Sequence, residues 1–88
     1  MTTYDPDVEA KIDLVMKMVK AELLAATAAF PEFASAHEGY AVILEEVDEL
    51  WDEIKVNKLD GSRARQRREA RQVAAMGARF LLDMRDDT

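Results

Sequence analysis

The stretch Glu45-Glu46-Val47-Asp48-Glu49-Leu50-Trp51-Asp52-Glu53 holds six acids in nine residues. On a helix, acids three and four positions apart are neighbours, so this run stacks like charges. Each such pair costs a few tenths of a kcal/mol. The nearest cation in sequence is Lys55. At 100° per residue, Glu46, Glu49 and Glu53 lie within about 60° of one another. Oxygen ligands so grouped suit a hard divalent cation. Mg²⁺ is the natural one, since it keeps several waters and is usually held by one or two carboxylates together with substrate phosphates. The bland alternative is a solvated helix face, because the acids point away from the apolar stripe of the same segment.

Twenty residues beyond Glu49 stands Glu69, across one short loop. Two antiparallel helices joined there would return Glu69 to the side of Glu46 and Glu49. The opening of the helix that carries Glu69 is rich in arginine. Arg63, Arg65, Arg67, Arg68 and Arg71 would contact phosphates, or else pair with the acidic helix. No aromatic residue interleaves them, which disfavours a nucleic-acid groove. His37, the sole histidine, is accounted for by the helix start it occupies, and Trp51 reads as core or interface. The chain has no glycine-rich phosphate loop, no Ser/His/Asp arrangement and no cysteine. It therefore offers no covalent nucleophile of the usual kinds, no disulfide framework and no thiolate metal site.

The elements that must position these acids are helices. Glycine and proline are scarce, at three and two residues in 88, too few for the turns of a small β-sandwich or barrel. A first helix is predicted from about Pro6 to Phe30, with Asp5 as N-cap, Pro6 at the first helical position and Pro31 as its stop. Its stripe is Val8, Ile12, Val15, Val19, Leu23, Ala26 and Phe30. Ser35-Ala36-His37-Glu38 has the form of a capping box and opens a second helix that ends near Val56. Its stripe is Tyr40, Ile43, Leu44, Val47, Leu50, Trp51 and Ile54. Asn57–Ser62 is the one clear loop, with Asp60-Gly61 as the turn signal. A third helix runs from Ser62, as N-cap, to about Met84. Its small residues Ala74, Ala75, Gly77 and Ala78 would let another helix approach closely.

Eighty-eight residues make one domain. A chain of that size buries only about 60–65% of its unfolded surface, and with apolar stripes on all three helices it is expected to gain stability by assembling into at least a dimer. The net charge is −6, split into −9 over residues 1–60 and +3 over 61–88. An acidic total argues against non-specific nucleic-acid binding. No apolar run is long enough to span a bilayer and the N-terminus does not read as a signal peptide, so the expectation is a cytoplasmic protein without membrane association.

Glu45-Glu46-x-x-Glu49, followed by Glu69-x-x-Gln72, resembles the EExxE…ExxD signature of MazG-type all-α nucleoside triphosphate pyrophosphohydrolases. The flanks His37-Glu38-Gly39-Tyr40-Ala41-Val42-Ile43-Leu44 and Gln72-Val73-Ala74-Ala75-Met76-Gly77-Ala78-Arg79-Phe80 resemble the short single-domain members found in phages and bacteria. The likeness covers about residues 35–84. It implies an all-α protomer of three antiparallel helices whose bundle is completed as a homodimer or homotetramer. It also implies Mg²⁺-dependent cleavage of (deoxy)nucleoside triphosphates to monophosphate and pyrophosphate, with Mn²⁺ a possible substitute. Carried over by position, Glu46, Glu49 and Glu69 would be metal ligands, with Glu45 a further ligand or the group that orients the attacking water. The family's final aspartate is here Gln72, which would offer a carbonyl oxygen but no charge. Lys55, Arg79 and Asp83 are the candidates for contact with substrate. The location would be the cytoplasm, or the host cytoplasm for a phage protein. The rival expectation is a catalytically inactive helical oligomerisation or regulatory module of the same fold; a nucleic-acid-associated module using the arginines of 63–71 is a weaker third.

Overall fold

The computed structural model describes residues 3–56 and 62–85. They form three helices: α1 (Pro6–Ala29), α2 (Ala36–Lys55) and α3 (Ser62–Asp83). No strand occurs among the described residues.

The helix starts follow local chemistry. The Asp5 side chain accepts from the Asp7 backbone N–H at 2.9 Å, with Pro6 in the first turn. Ser35 Oγ accepts from the Glu38 N–H at 3.1 Å, as the capping box predicts. The return bond differs by one residue: Glu38 Oε1 accepts from the Ala34 N–H at 3.0 Å rather than from that of Ser35. α1 stops at Ala29, one residue short of expectation. Phe30 precedes a proline, which crowds the helical region, and it adopts φ −133°, ψ 147°. The third helix includes Ser62, and the residues before it that bear on its cap lie outside the described residues. The predicted loop residues 57–61 lie outside the described residues.

α3 is the central element. α1 and α2 each pack along it, with no close backbone approach to one another, so they form two walls over an α3 floor. The core is small: Val19, Ala75 and Met76 are buried, with Ala26, Phe33, Val42 and Ile43 packed against them. Gly39 makes the α2–α3 approach possible, because a Cβ there would lie 2.7 Å from Phe80 Cδ2 and 3.0 Å from Phe33 Cδ2. Of the four small residues predicted to admit a neighbouring helix, Ala75 is fully buried while a Cβ on Gly77 would meet nothing within 4 Å.

The predicted stripes only partly face this core. Val8, Ile12 and Val15 on α1, and Tyr40, Leu44, Val47, Trp51 and Ile54 on α2, remain exposed. Their helical spacing is right, but a protomer in which two helices share one partner has no second layer to cover them.

Candidate cation centre

Residues from two helices make the site. α2 carries Glu46 and Glu49 one turn apart, and antiparallel packing brings α3's Glu69 alongside. One carboxylate oxygen from each lies within 4.8 Å of the others. The expected return of Glu69 to Glu46 and Glu49 is therefore present. Glu53, which the wheel groups with Glu46 and Glu49, is drawn off instead: its Oε2 accepts from Arg65 Nε at 3.0 Å.

The electrostatics are those of crowded like charges. The Glu46 carboxyl is pushed up to about 7. Partial burial is the main cause. The charge of Glu49 comes next, followed by a hydrogen bond with Glu49 and the charges of Glu69 and Glu45. Glu69 is also raised, by burial and then by Glu49, against an opposing pull from Arg68. Among the described residues no Lys or Arg forms an ion pair with Glu46, Glu49 or Glu69. The crowding favours protonation of the empty cluster, and a cation bound there would compete with those protons. Three carboxylates with no sulfur or imidazole donor fit a hard divalent cation such as Mg²⁺.

The remaining expected site residues are spread along the molecule. Glu45 is exposed beside Glu46. Gln72 lies one turn beyond Glu69, but its Nε2 donates to Glu22 Oε2 on α1 at 2.8 Å. Lys55 pairs with Asp52 at 3.2 Å and sits 6.0 Å above the Trp51 ring, in solvent. Arg79 and Asp83 lie about 15 and 21 Å along α3 from Glu69 at 1.5 Å per residue.

Arg79 is 3% exposed. Its guanidinium donates to the carbonyls of Ala26 (2.9 Å), Phe30 (2.7 Å) and Pro31 (2.7 Å), and to Asp83 Oδ2 (3.1 Å). It also stacks 5.4 Å from the Phe33 ring. Asp83 Oδ2 in turn accepts from the Phe33 N–H at 3.0 Å. That bond, and then Arg79, hold the Asp83 carboxyl below its ordinary range. These two residues form a latch that caps the end of α1 and ties down the α1–α2 connection. Four of the five N–H groups of Arg79 are thereby engaged within the chain.

Glu22 was not singled out from the sequence. It stands on α1, outside the segment that carries the signature, and a single acid on a helix looks like solvated surface. Only the packing of α1 on α3 shows it accepting a hydrogen bond from Gln72 and standing 3.2 Å from Arg71 Nε, an ion pair without hydrogen-bond geometry. No helix among the described residues is long and apolar enough to cross a membrane. Compared with protein-family models, with curated proteins and with solved structures, the chain matches none.

Proposed function

We propose that this chain is a Mg²⁺-dependent nucleotide pyrophosphohydrolase that cleaves (deoxy)nucleoside triphosphates to monophosphate and pyrophosphate. The observation that carries the reading is the convergence of Glu46, Glu49 and Glu69 from two helices within 4.8 Å, with no ion pair to a Lys or Arg among the described residues. Folding does not gather three acids for stability, because each approach costs free energy. The resemblance of Glu45-Glu46-x-x-Glu49 and Glu69-x-x-Gln72 to the MazG-type signature supplies the reaction class.

Glu46, Glu49 and Glu69 would hold the cation. Bound there, Mg²⁺ supplies neutralisation of triphosphate charge and a lowered pKa for water. Glu45, exposed beside Glu46, would orient the attacking water and take its proton. The water oxygen bonds to the α-phosphorus, the bond from that phosphorus to the β-bridging oxygen breaks, and pyrophosphate leaves. Phosphoryl transfer of this kind is positioning and charge neutralisation, so no covalent nucleophile is required. Pyrophosphate release from a panel of ribo- and deoxynucleoside triphosphates, with Mg²⁺ and with EDTA, tests the reading. Turnover should require Mg²⁺, and Glu46→Gln or Glu49→Gln should abolish it. Wild-type rates in either variant would remove the ligand assignment.

The active form is proposed to be an assembly of at least two copies. The chain exposes 7017 Å², whereas a compact monomer of 9.9 kDa exposes about 5,200 Å². The excess, about 1,800 Å² per chain, is the scale of an obligate homodimer interface. Light scattering at micromolar concentration should return a multiple of the chain mass; a single-chain mass would contradict it.

A second reading is favoured by the same exposed stripes and by Gln72, whose amide is tied to Glu22. It is a helical oligomerisation module of this build without catalysis. It predicts silence across the nucleotide panel from a folded oligomer and no stabilisation by Mg²⁺.

A further inference from the structure

We infer that the cavity at the N-terminal end of α2 is the subsite for the base of the nucleotide, a neutral aromatic heterocycle stacked on Tyr40 and Phe80. This rests on the nucleotide chemistry proposed for Glu46, Glu49 and Glu69.

The cavity measures about 490 Å³ and is lined by Ala36, His37, Tyr40, Ile43 and Phe80. Small-molecule sites span about 300–1,000 Å³ and have the same make-up, apolar and aromatic walls with a few polar tips. Charged residues make up 34% of the chain, yet no carboxylate, lysine or arginine lines this space. A metal ion or a phosphate would find no counter-charge there, and a ring without net charge needs none. The polar tips are the His37 imidazole and the Tyr40 hydroxyl. Between them they donate and accept hydrogen bonds, the two functions that the edge of a base presents. The capping box explains Ser35 and Glu38. It gives the His37 ring no task, and that ring is exposed and makes no hydrogen bond or ion pair with the described residues.

The cavity adjoins the acidic cluster. Ile43, in its wall, and Glu46 are three apart on α2 and so are neighbours on the helix surface. Tyr40 lies about 9 Å and His37 about 13.5 Å along α2 from Glu46. On α3, Phe80 comes eleven residues after Glu69, within about 20° of the same face. Cluster and cavity therefore follow one another along the α2–α3 seam. A cation site comes first and an uncharged aromatic cavity next, the order in which a nucleotide carries its phosphates and its base. The walls are set before a ligand arrives. Phe80 packs so closely on Gly39 that a Cβ there would lie 2.7 Å from Phe80 Cδ2. Ala36 and His37 sit in the first turn of α2, held by the Ser35 cap. Tyr40 is 64% exposed, so its ring can take a stacking partner without giving up packing.

The sole histidine makes the test direct, because His37 gives the only imidazole proton signals of the chain. The probes are α,β-methylene deoxynucleoside triphosphates, in which carbon replaces the bridging oxygen of the scissile bond, and inorganic tripolyphosphate, which has no base. Each is titrated with Mg²⁺ and followed by calorimetry and proton magnetic resonance. The analogue that binds most tightly should shift the His37 ring signals and show through-space contacts from its base protons to them. Tripolyphosphate should bind and leave those signals in place. Tyr40→Ala should weaken the analogue about tenfold and leave tripolyphosphate unchanged, while Tyr40→Phe keeps the ring and should keep the affinity within about twofold. Thermal unfolding checks the fold of both variants, and the His37 arm needs no variant. An analogue that binds without moving His37, or that binds Tyr40→Ala as tightly as wild type, overturns the subsite and leaves the cation centre standing. Failure of both tripolyphosphate and the analogues to bind removes the cation centre and the subsite with it. A fall in the light-scattering mass of Tyr40→Ala, with its affinity for the analogue unchanged, gives this face to a second copy of the chain instead.

Discussion

The two ends of α3 treat charge in opposite ways. Near its C-terminus, Arg79 and Asp83 are both 3% exposed at the side chain. Every donor that Arg79 aims inward finds a carbonyl or a carboxylate. Near its middle, Glu69 meets Glu46 and Glu49, and no Lys or Arg among the described residues forms an ion pair with any of them. A buried charge with all its partners present is a structural strap. Like charges brought together and left uncompensated work against the fold and persist for something outside it. Arg79 and Asp83, expected as substrate contacts, hold the end of α1 and the α1–α2 connection together, whereas the three glutamates form a cluster that could hold a cation.

Removing the guanidinium is the largest perturbation available. Arg79→Met strands Asp83 and three backbone carbonyls, and should cost about 3–5 kcal/mol. Chemical denaturation with a matched m-value would measure it; a loss under 1 kcal/mol would mean that the latch is ornamental.

Gly39→Ala tests the packing at the same end. A methyl 2.7 Å from Phe80 Cδ2 forces Phe80 or Phe33 to move. It should lower stability by about 1–3 kcal/mol, with little change in Mn²⁺ affinity because the cluster lies two turns away.

The glutamate end should respond in the other direction. In EDTA, Glu46→Gln relieves repulsion and should raise stability by roughly 1 kcal/mol, while abolishing turnover. Calorimetry that shows a loss of stability instead would mean that the cluster contributes to the fold.

The smallest effect, and the most diagnostic, is pH dependence of the metal-free chain. Glu46 has a folded value of about 7 against 4.5 for the ordinary carboxyl. The folded state therefore binds more protons between these values. Its contribution to stability is full below about 4.5 and is lost as pH rises through about 7. Asp83 has the opposite sign: its carboxyl is depressed below 3.8, so its contribution is present above that value and is lost as pH falls below it. Stability should thus peak between these two windows. Glu46→Gln should flatten the alkaline limb alone, and Mg²⁺ should do the same by replacing the protons.

The helices themselves were legible because their signals are local. Asp5-Pro6, Ser35 with Glu38, and Pro31 act on backbone within a turn of themselves, and all three do what their types dictate. The grouping of Glu46, Glu49 and Glu69 was legible for a related reason. Helical pitch places the first two, and one short connection between antiparallel helices constrains the third. Stripes of apolar residues were readable as stripes, yet which of them the protomer would cover was not. Val19 is buried while Val8, Ile12 and Val15 on the same face are exposed.

What the sequence by itself determined is therefore short-range: three helices, their starts, and one acidic face with a partner residue at antiparallel reach. Tertiary structure alone decided which charges meet across the chain. Glu53 went to Arg65, Arg79 to the end of α1 53 residues before it, and Gln72 to Glu22 50 residues before it. Pairings over such separations depend on the angle and register of whole helices. Those are set by the total packing of Val19, Phe33, Gly39, Ala75, Met76 and Phe80, and a side chain's own type carries no record of them.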